Sequence, residues 1–210
     1  MKQTALLLVG SAALVSGIAL AQGAMGGMDH SKMGMTPAAT PMEQGMMPMG
    51  GGMSMDMSGL QKLSGKAFDR AFLSMMIPHH QTAIDMARAV LPVGKDATVK
   101  KWANMVIQDQ AKEINEMTKL LPAFGGNDAA MATMMKSSMA GMANAVKTSK
   151  TPDQAFVQGM LPHHSSALDM AQLALEKSSD ARVLKLARDI VTAQAREMYD
   201  FRLWLTKRSA

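Results

Sequence analysis

The sequence predicts an all-α protein: a four-helix bundle made of two copies of one antiparallel helical hairpin. Residues 72–87 return as residues 156–171 in nearly the same order, including a Pro-His-His triplet, at an offset of 84 positions. Apolar residues recur every three or four positions through both copies, which is typical of helices with one buried face. Because neither hairpin can bury its apolar face alone, we expect the two copies to pack together.

Helix boundaries follow from capping and helix-breaking residues. Asp96 and Asp180 occupy N-cap positions, and Pro92 and Pro122 follow the ends of two helical patterns. The short loop within each pair of helices makes each pair an antiparallel hairpin. The predicted helices are residues 66–91, 97–121, 152–176 and 180–206.

The chain divides into a targeting segment, a low-complexity arm and a folded domain. Lys2 precedes an apolar stretch, and Ala19-Leu20-Ala21 fits the small-x-small rule for signal-peptide cleavage. An uncleaved membrane anchor is the alternative, and either reading places the folded part outside the cytoplasm, in the periplasm or secreted. The predicted parts are a signal peptide (1–21), a disordered Met/Gly-rich arm (22–64), and a bundle (65–207) with repeats at 66–121 and 152–206 and a Met-rich crossover at 125–150.

Composition excludes several kinds of site. The chain has no cysteine, so neither a disulfide framework nor a thiolate metal site can form. Its formal net charge of +5, or +4 without Lys2, is spread along the helical segments and forms no basic stripe with interleaved aromatics. We therefore expect no nucleic-acid partner. The sequence does not determine the oligomeric state.

Methionine is the unusual residue, with 25 in the chain and 11 between Met25 and Met57. The arm has too little branched or aromatic surface to offset the entropy of ordering, so we expect it to be disordered. It is either a plain linker or a metal-capturing segment. Thioether and imidazole groups together suit copper. The candidate ligands in the arm are Met28, His30, Met33 and Met35.

Five methionines of the crossover are spaced at three, four and seven positions, which predicts a short amphipathic helix. Because methionine fills irregular core gaps, packing is favoured over metal binding for all five. They are Met131, Met134, Met135, Met139 and Met142.

The histidines of both triplets lie on the apolar stripes of their helices. His79 and His80 continue the rows that contain Phe72, Met76 and Ile77, and the second copy repeats this arrangement. A single core histidine is more often a hydrogen-bonded packing residue than a ligand. Four at matched positions in two hairpins favour a metal site between facing helices.

A glutamate on the apolar seam of each second helix supports the same prediction. Glu113 and Glu197 are costly to bury unless another group pairs with them. Folding each hairpin about its loop brings its histidines and glutamate together to within about one helical turn. The converging sets are Met76, His79, His80, Gln110 and Glu113, and Met160, His163, His164, Gln194 and Glu197.

Pro78 and Pro162 interrupt the helical hydrogen-bond ladder immediately before the histidines, at a cost of about 3 kcal/mol each. One interpretation is a kink that aims the histidines or frees a carbonyl group. The other is that each proline begins a new helix.

Copper fits this donor set best. Di-iron bundles use a Glu-x-x-His motif on each of two helices, and no glutamate here has a histidine three residues later. Zinc has little use for thioethers, and the Cys-x-x-Cys-His motif for covalent haem attachment is absent. Copper uses imidazole and thioether alike, as Cu(I) or Cu(II), and silver is a soft mimic.

The paired Phe-x-x-x-Met-[Ile/Leu]-Pro-His-His-x-x-Ala-[Ile/Leu]-x-Met-Ala blocks, each followed by a Gln-x-x-Glu helix, resemble a DUF (domain of unknown function) family that includes CopM-like periplasmic copper-binding proteins. The resemblance covers about residues 66–206. It implies a ferritin-like four-helix bundle and a role in copper tolerance. By position it also implies Met/His ligands at Met76, His79, His80, Met86, Met160, His163, His164 and Met170. Met75 is replaced by Gly159 in the second copy, so the two sites are expected to differ.

The expected function is sequestration or transfer of copper outside the cytoplasm, with the arm capturing the ion and the bundle holding it. A copper exporter or another periplasmic copper protein is the expected partner. Two alternatives remain open: a metal-dependent oxidase of Cu(I) or another small reductant, and a structural bundle without metal.

Overall fold

The computed structural model of the protein describes residues 57–208, which form helices joined by short loops and include no strand. The four long helices match the predicted segments closely, which confirms the all-α bundle of two hairpins. The helices are α1 (Ser58–Gln61), α2 (Gly65–Val90), α3 (Ala97–Leu120), α4 (Ala129–Ser138), α5 (Met142–Thr148), α6 (Pro152–Lys177) and α7 (Ala181–Thr206), with a 3₁₀ turn at Leu121–Phe124.

Helices α2 and α6 run in opposite directions against each other through the middle of the protein. The start of α6 lies beside the end of α2. The backbone N–H groups of Lys95 and Asp96, just after α2, donate to Oδ2 of Asp153, in the first turn of α6, at 2.8 and 3.2 Å. At the centre of this contact the rings of His79 and His163 lie 3.8 Å apart. Helix α3 packs on α2 and α7 packs on α6, so the histidine-bearing helices are the inner pair.

The crossover contains two helices, where the sequence predicted one. Gly141 has φ of 87°, a left-handed conformation that separates α4 from α5 and that favours glycine. Both helices pack against α2, and Arg70 donates to the carbonyl oxygens of Gly126 and Asn127 at 3.1 and 2.9 Å. The prediction of core packing holds for Met135, Met139 and Met142, and Met131 is half-buried against the core. It is wrong for Met134, which is exposed.

Each proline before the histidines lies inside a continuous helix, so the interpretation that a new helix begins there is wrong. Thr82 Oγ1 donates to the carbonyl oxygen of Pro78 at 3.1 Å, one turn further along α2. The histidines therefore follow a point where the helical ladder lacks one N–H donor.

The signal peptide and most of the arm lie outside the described residues. The last part of the predicted arm, residues 57–64, contains α1, whose Leu60 is fully buried against the core. Within residues 57–208, no helix is both long and apolar enough to span a membrane.

The two predicted N-caps supply a stability comparison. Asp96 accepts from the N–H groups of Thr98 and Val99 at 2.8 and 3.1 Å, and its second oxygen accepts from Trp204 Nε1 at 3.3 Å and from Arg208. Asp180 caps α7 through the N–H of Arg182 and otherwise pairs with that arginine's own side chain.

Asp96→Ala is expected to lower the free energy of unfolding by about 2 kcal/mol, because it removes a cap and the tie to the end of α7. Asp180→Ala is the repeat-matched control and should cost about 1 kcal/mol, because only local bonds are lost. Urea unfolding of both variants measures the difference. Equal losses would mean that the bonds from Asp96 to Trp204 and Arg208 contribute nothing.

Candidate metal centre

Four fully buried histidine rings form a row across the contact between α2 and α6. His79 and His163 meet in the middle, with ring centroids 3.8 Å apart, and His80 and His164 flank them at 6.1 and 5.9 Å. The exposure of all four side chains is 0%. The two Pro-His-His copies thus contribute to one continuous cluster.

The Nε2 atom of every ring in this row has a hydrogen-bond partner. His80 Nε2 lies 2.7 Å from Glu113 Oε2, and His164 Nε2 lies 2.6 Å from Glu197 Oε2. His163 Nε2 lies 3.0 Å from the carbonyl oxygen of His79. Carboxylate and carbonyl oxygens only accept hydrogen bonds, so these three Nε2 atoms carry the proton and donate it.

The fourth ring, His79, bonds to a serine. Its Nε2 lies 2.9 Å from Ser166 Oγ, and that hydroxyl donates to the carbonyl oxygen of His163 at 2.8 Å. Because the hydroxyl proton is already used, His79 Nε2 is the donor to Ser166. In the neutral form, all four histidines are therefore Nε2–H tautomers with a lone pair on Nδ1.

The four Nδ1 atoms are buried and have no hydrogen-bond partner in the structure. A buried acceptor without a partner costs about 1–3 kcal/mol of stability. Metal-bound histidines usually donate their second ring N–H to a carboxylate, a carbonyl or water, which fixes the ring and the tautomer. The row shows this pattern four times: each Nε2–H donates a hydrogen bond, and each Nδ1 lone pair has no partner and can bind a metal.

Burial lowers the pKa of His79 and His163 well below the usual range. For both residues the main cause is removal from water, and the next is the charge of neighbouring histidines. The two central rings are therefore neutral at physiological pH, which is the form that binds metals.

A cleft between α3 and α7 connects the flanking histidine–glutamate pairs to solvent. It has a volume of about 290 Å³ and is lined by Glu113, Glu197, Gln110 and Gln194, together with further acidic residues. The two glutamates are 19 and 20% exposed, whereas the histidines they contact are fully buried. Both glutamine side chains are buried, and none of their amide atoms has a partner. The structure thus brings the predicted Gln-x-x-Glu residues to a polar entrance beside the row.

The four methionines predicted as ligands in the bundle are all in the core. Met76, Met160 and Met170 are fully buried, and Met86 is 1% exposed. The methyl group of Met86 lies 3.0 Å from the place that a Cβ atom on Gly159 would occupy. Met86 of α2 is therefore next to α6 at Gly159, one turn before His163, so the structure brings candidate ligands of the two repeats together across the contact.

One residue of the cluster, Ser166, was not predicted from the sequence. It is buried and joins the two central histidines through one hydroxyl group. Its repeat counterpart, Thr82, bonds instead to Pro78. The sequence feature that could have indicated it is a hydroxyl side chain three residues, or about one helical turn, after His163.

Within the described part of the chain, no group of three or more His, Cys, Asp and Glu side chains is arranged to hold a metal ion. The predicted arm ligands, Met28, His30, Met33 and Met35, lie outside the described residues.

Known proteins with similar structures include copper-bound ones. CopM in its Cu(I)-bound form is 31% identical, with a TM-score of 0.57 over 68% of this chain and 98% of that one, and its Cu(II)-bound form gives 31% and 0.56 over 66% and 97%. A DUF305 protein of Streptomyces coelicolor shares the fold at 24% identity, with a TM-score of 0.60 over 68% of this chain and 94% of that one.

Sequence comparison identifies the family. An uncharacterised protein of Acanthamoeba polyphaga mimivirus is 42% identical over 53 residues, which is 25% of this chain and only 35% of that protein. The family profile described as Domain of unknown function (DUF305) matches residues 17–121 and 153–210, most of the chain. The protein with the buried row of four histidines is therefore a member of the DUF305 family.

Proposed function

We propose that this protein binds copper, chiefly as Cu(I), inside its helical bundle, and that it sequesters the ion or passes it on without catalysing a reaction. One observation carries the proposal: four buried Nδ1 lone pairs have no partner, while every Nε2 of the same rings is held. Buried nitrogen atoms without a hydrogen-bond partner lower the stability of a protein that binds nothing to them. A bound cation would give the Nδ1 atoms next to it the partner that they lack.

The donor set favours a soft ion. Three or more histidine and carboxylate groups do not gather around one point in residues 57–208, so imidazole alone would leave the ion under-coordinated. Thioethers complete the set, and thioether with neutral imidazole suits Cu(I), with Ag(I) as a mimic. The ligands we assign are Met76, His79, His80, Met86, Met160, His163, His164 and Met170.

Glu113 and Glu197, which the sequence predicted as ligands, have a different role in this proposal. Each accepts the Nε2–H of a histidine, which fixes the ring so that Nδ1 points to the metal. They also line the cleft between α3 and α7. Five carboxylates and one lysine, Lys112, line this cleft, so its net negative charge attracts cations although the whole chain is positively charged. The cleft is the proposed route by which copper reaches the row.

The resemblance to CopM supports the choice of metal, because CopM has been crystallised with Cu(I), Cu(II) and silver. We propose that the protein works in the periplasm or after secretion, as the N-terminal segment predicts. The arm, through Met28, His30, Met33 and Met35, would capture copper and deliver it to the bundle. A copper exporter or another periplasmic copper protein would be the exchange partner.

Titration of the metal-free protein with Cu(I) is expected to give stoichiometric binding and a large thermal stabilisation. A ligand bound only by the folded state at about a thousandfold above its Kd adds about 4 kcal/mol. In a domain of this size that raises Tm by about ten degrees. Metal analysis and circular dichroism measure the two effects, and Mg²⁺ at the same concentration is the control.

Two results would contradict the proposal. If Cu(I) changes neither Tm nor the bound-metal content, the bundle is structural. If excess Cu(I) drives sustained oxygen consumption, the protein is an oxidase.

A further inference from the structure

The two hairpins reproduce the same geometry around their flanking histidines. His80 and Glu113 lie 2.7 Å apart, and His164 and Glu197 lie 2.6 Å apart. The angles between the planes of neighbouring rings are 56° in the first hairpin and 59° in the second. Residues at matched positions of the two repeats therefore occupy matched places beside these rings.

One matched position near the row differs in chemistry. Phe201 follows Glu197 by one turn on α7, and its ring centroid lies 5.8 Å from that of His164. The residue at the same position of α3, one turn after Glu113, is Met117, which is fully buried. Met117 is therefore the residue of the first hairpin that corresponds to the phenyl ring against the flanking histidine of the second.

We infer that Met117 is an additional thioether ligand, and that it makes the first half of the centre a softer site than the second. The first half is the set His79, His80 and Glu113 with Met117, and the second half is His163, His164 and Glu197 with Phe201. A phenyl ring packs against an imidazole but donates no lone pair to a metal, whereas a thioether binds Cu(I) well. This inference rests on the proposed copper binding.

A second difference between the repeats concerns the methionines of the histidine-bearing helices themselves. Met75 is fully buried in α2, and its counterpart in α6 is Gly159. The space beside Gly159 is filled by the methyl end of Met86 from the opposite helix. The first hairpin thus has three buried thioethers at the positions where the second has one. They are Met75, Met76 and Met117 against Met160.

Unequal halves predict two Cu(I) binding events of different affinity, the tighter one in the first half. A second ion, or an ion on its way through the centre, would occupy the harder half. Because it has Phe201 in place of the Met117 thioether, that half should discriminate less between Cu(I) and Cu(II).

The test replaces Met117 by leucine, which keeps volume and apolar character but removes the sulfur. Cu(I) affinity of the tighter event, measured by competition with a Cu(I) chelator, is expected to fall at least about tenfold, since even indirect partners of a metal site contribute that much. Cu(II) affinity should stay the same. Met131→Leu is the control, because Met131 packs against the core from α4 with its methyl group beside Gly59 of α1, before the start of α2. It should change neither affinity.

The reciprocal variant, Phe201→Met, places sulfur in the second half and is expected to bring its Cu(I) affinity closer to that of the first. The inference is overturned if Met117→Leu binds Cu(I) as tightly as the unmodified protein, or if it loses Cu(I) and Cu(II) affinity equally. Circular dichroism and thermal unfolding establish that each variant is folded. If the unmodified protein binds no copper, the proposed function itself fails, which is a different result.

Discussion

Replacing His79, His80, His163 and His164 together by leucine is expected to abolish the thermal stabilisation by Cu(I) while leaving the metal-free bundle folded and at least as stable. Leucine is close to histidine in volume and brings no polar atom into the core. Four unpartnered Nδ1 atoms disappear, each of which costs about 1–3 kcal/mol in the metal-free state. The flanking glutamates remain at the cleft, where water can solvate them.

The lost hydrogen bonds offset part of this gain. The Nε2 bonds of the central pair, to Ser166 Oγ and to the carbonyl oxygen of His79, each contribute about 1 kcal/mol. The bonds of the flanking pair to Glu113 and Glu197 are also lost, at about 1.5–3 kcal/mol each. We therefore expect the metal-free quadruple variant to be at least as stable as the unmodified protein. Urea unfolding without metal and thermal unfolding with and without Cu(I) measure the two effects.

Two double variants separate the contributions. His79→Leu with His163→Leu removes the central pair, and His80→Leu with His164→Leu removes the flanking pair together with its glutamate bonds. Retention of the full Cu(I)-induced Tm shift in the quadruple variant would place the copper elsewhere. A quadruple variant that unfolds at lower urea would mean that the row stabilises the fold by itself. Such a row would have no need of a metal.

The sequence was sufficient to predict the hairpins because their signals are local. The apolar stripes of both repeats and the N-caps at Asp96 and Asp180 depend on residues within a few turns of each other. The pairing of His80 with Glu113 also follows, because a short loop fixes the register of two helices in one hairpin.

The contact between the hairpins could not be predicted in the same way. No short loop joins α2 to α6, so their register depends on how the whole core packs. The bond from His163 to the carbonyl oxygen of His79, the bridge through Ser166, and the placement of Met86 beside Gly159 all lie across this contact. The crossover was predicted as one helix because methionine spacing continues past Gly141, whose left-handed backbone divides it.

The burial of the histidine row makes the free energy of unfolding depend on pH. Without metal, the free energy of unfolding is expected to fall as pH drops below about 6.5. Burial holds the pKa of His79 and His163 well below that value in the folded protein, while both titrate near it in the unfolded chain. Between the two pKa values the unfolded state binds more protons, so acid favours unfolding. Above about 6.5 both states are neutral at these residues, and their contribution to the pH dependence vanishes.

Each of the two histidines adds a slope of about 1.4 kcal/mol per pH unit, so the pair adds up to about 2.7 kcal/mol per unit. Carboxylates change the free energy of unfolding at lower pH than the histidines do. The pKa of Asp180 is lowered to about 2 by the Arg182 side chain, so its contribution is present above about 3.8 and is lost as pH falls towards 2. The histidine effect should therefore appear first on acidification, separated from the carboxylate effect.

Urea unfolding of the metal-free protein at several pH values from about 7.5 to 4.5 measures the slope, with His79→Leu and His163→Leu combined as the control. The control should lose most of the dependence between about 6.5 and 5, because the two groups that gain protons on unfolding are gone. Parallel curves for the two proteins would mean that the central rings take up protons in the folded state. They would then lie in water and not in a sealed core, and they could not offer copper the neutral Nδ1 atoms on which the proposed site depends.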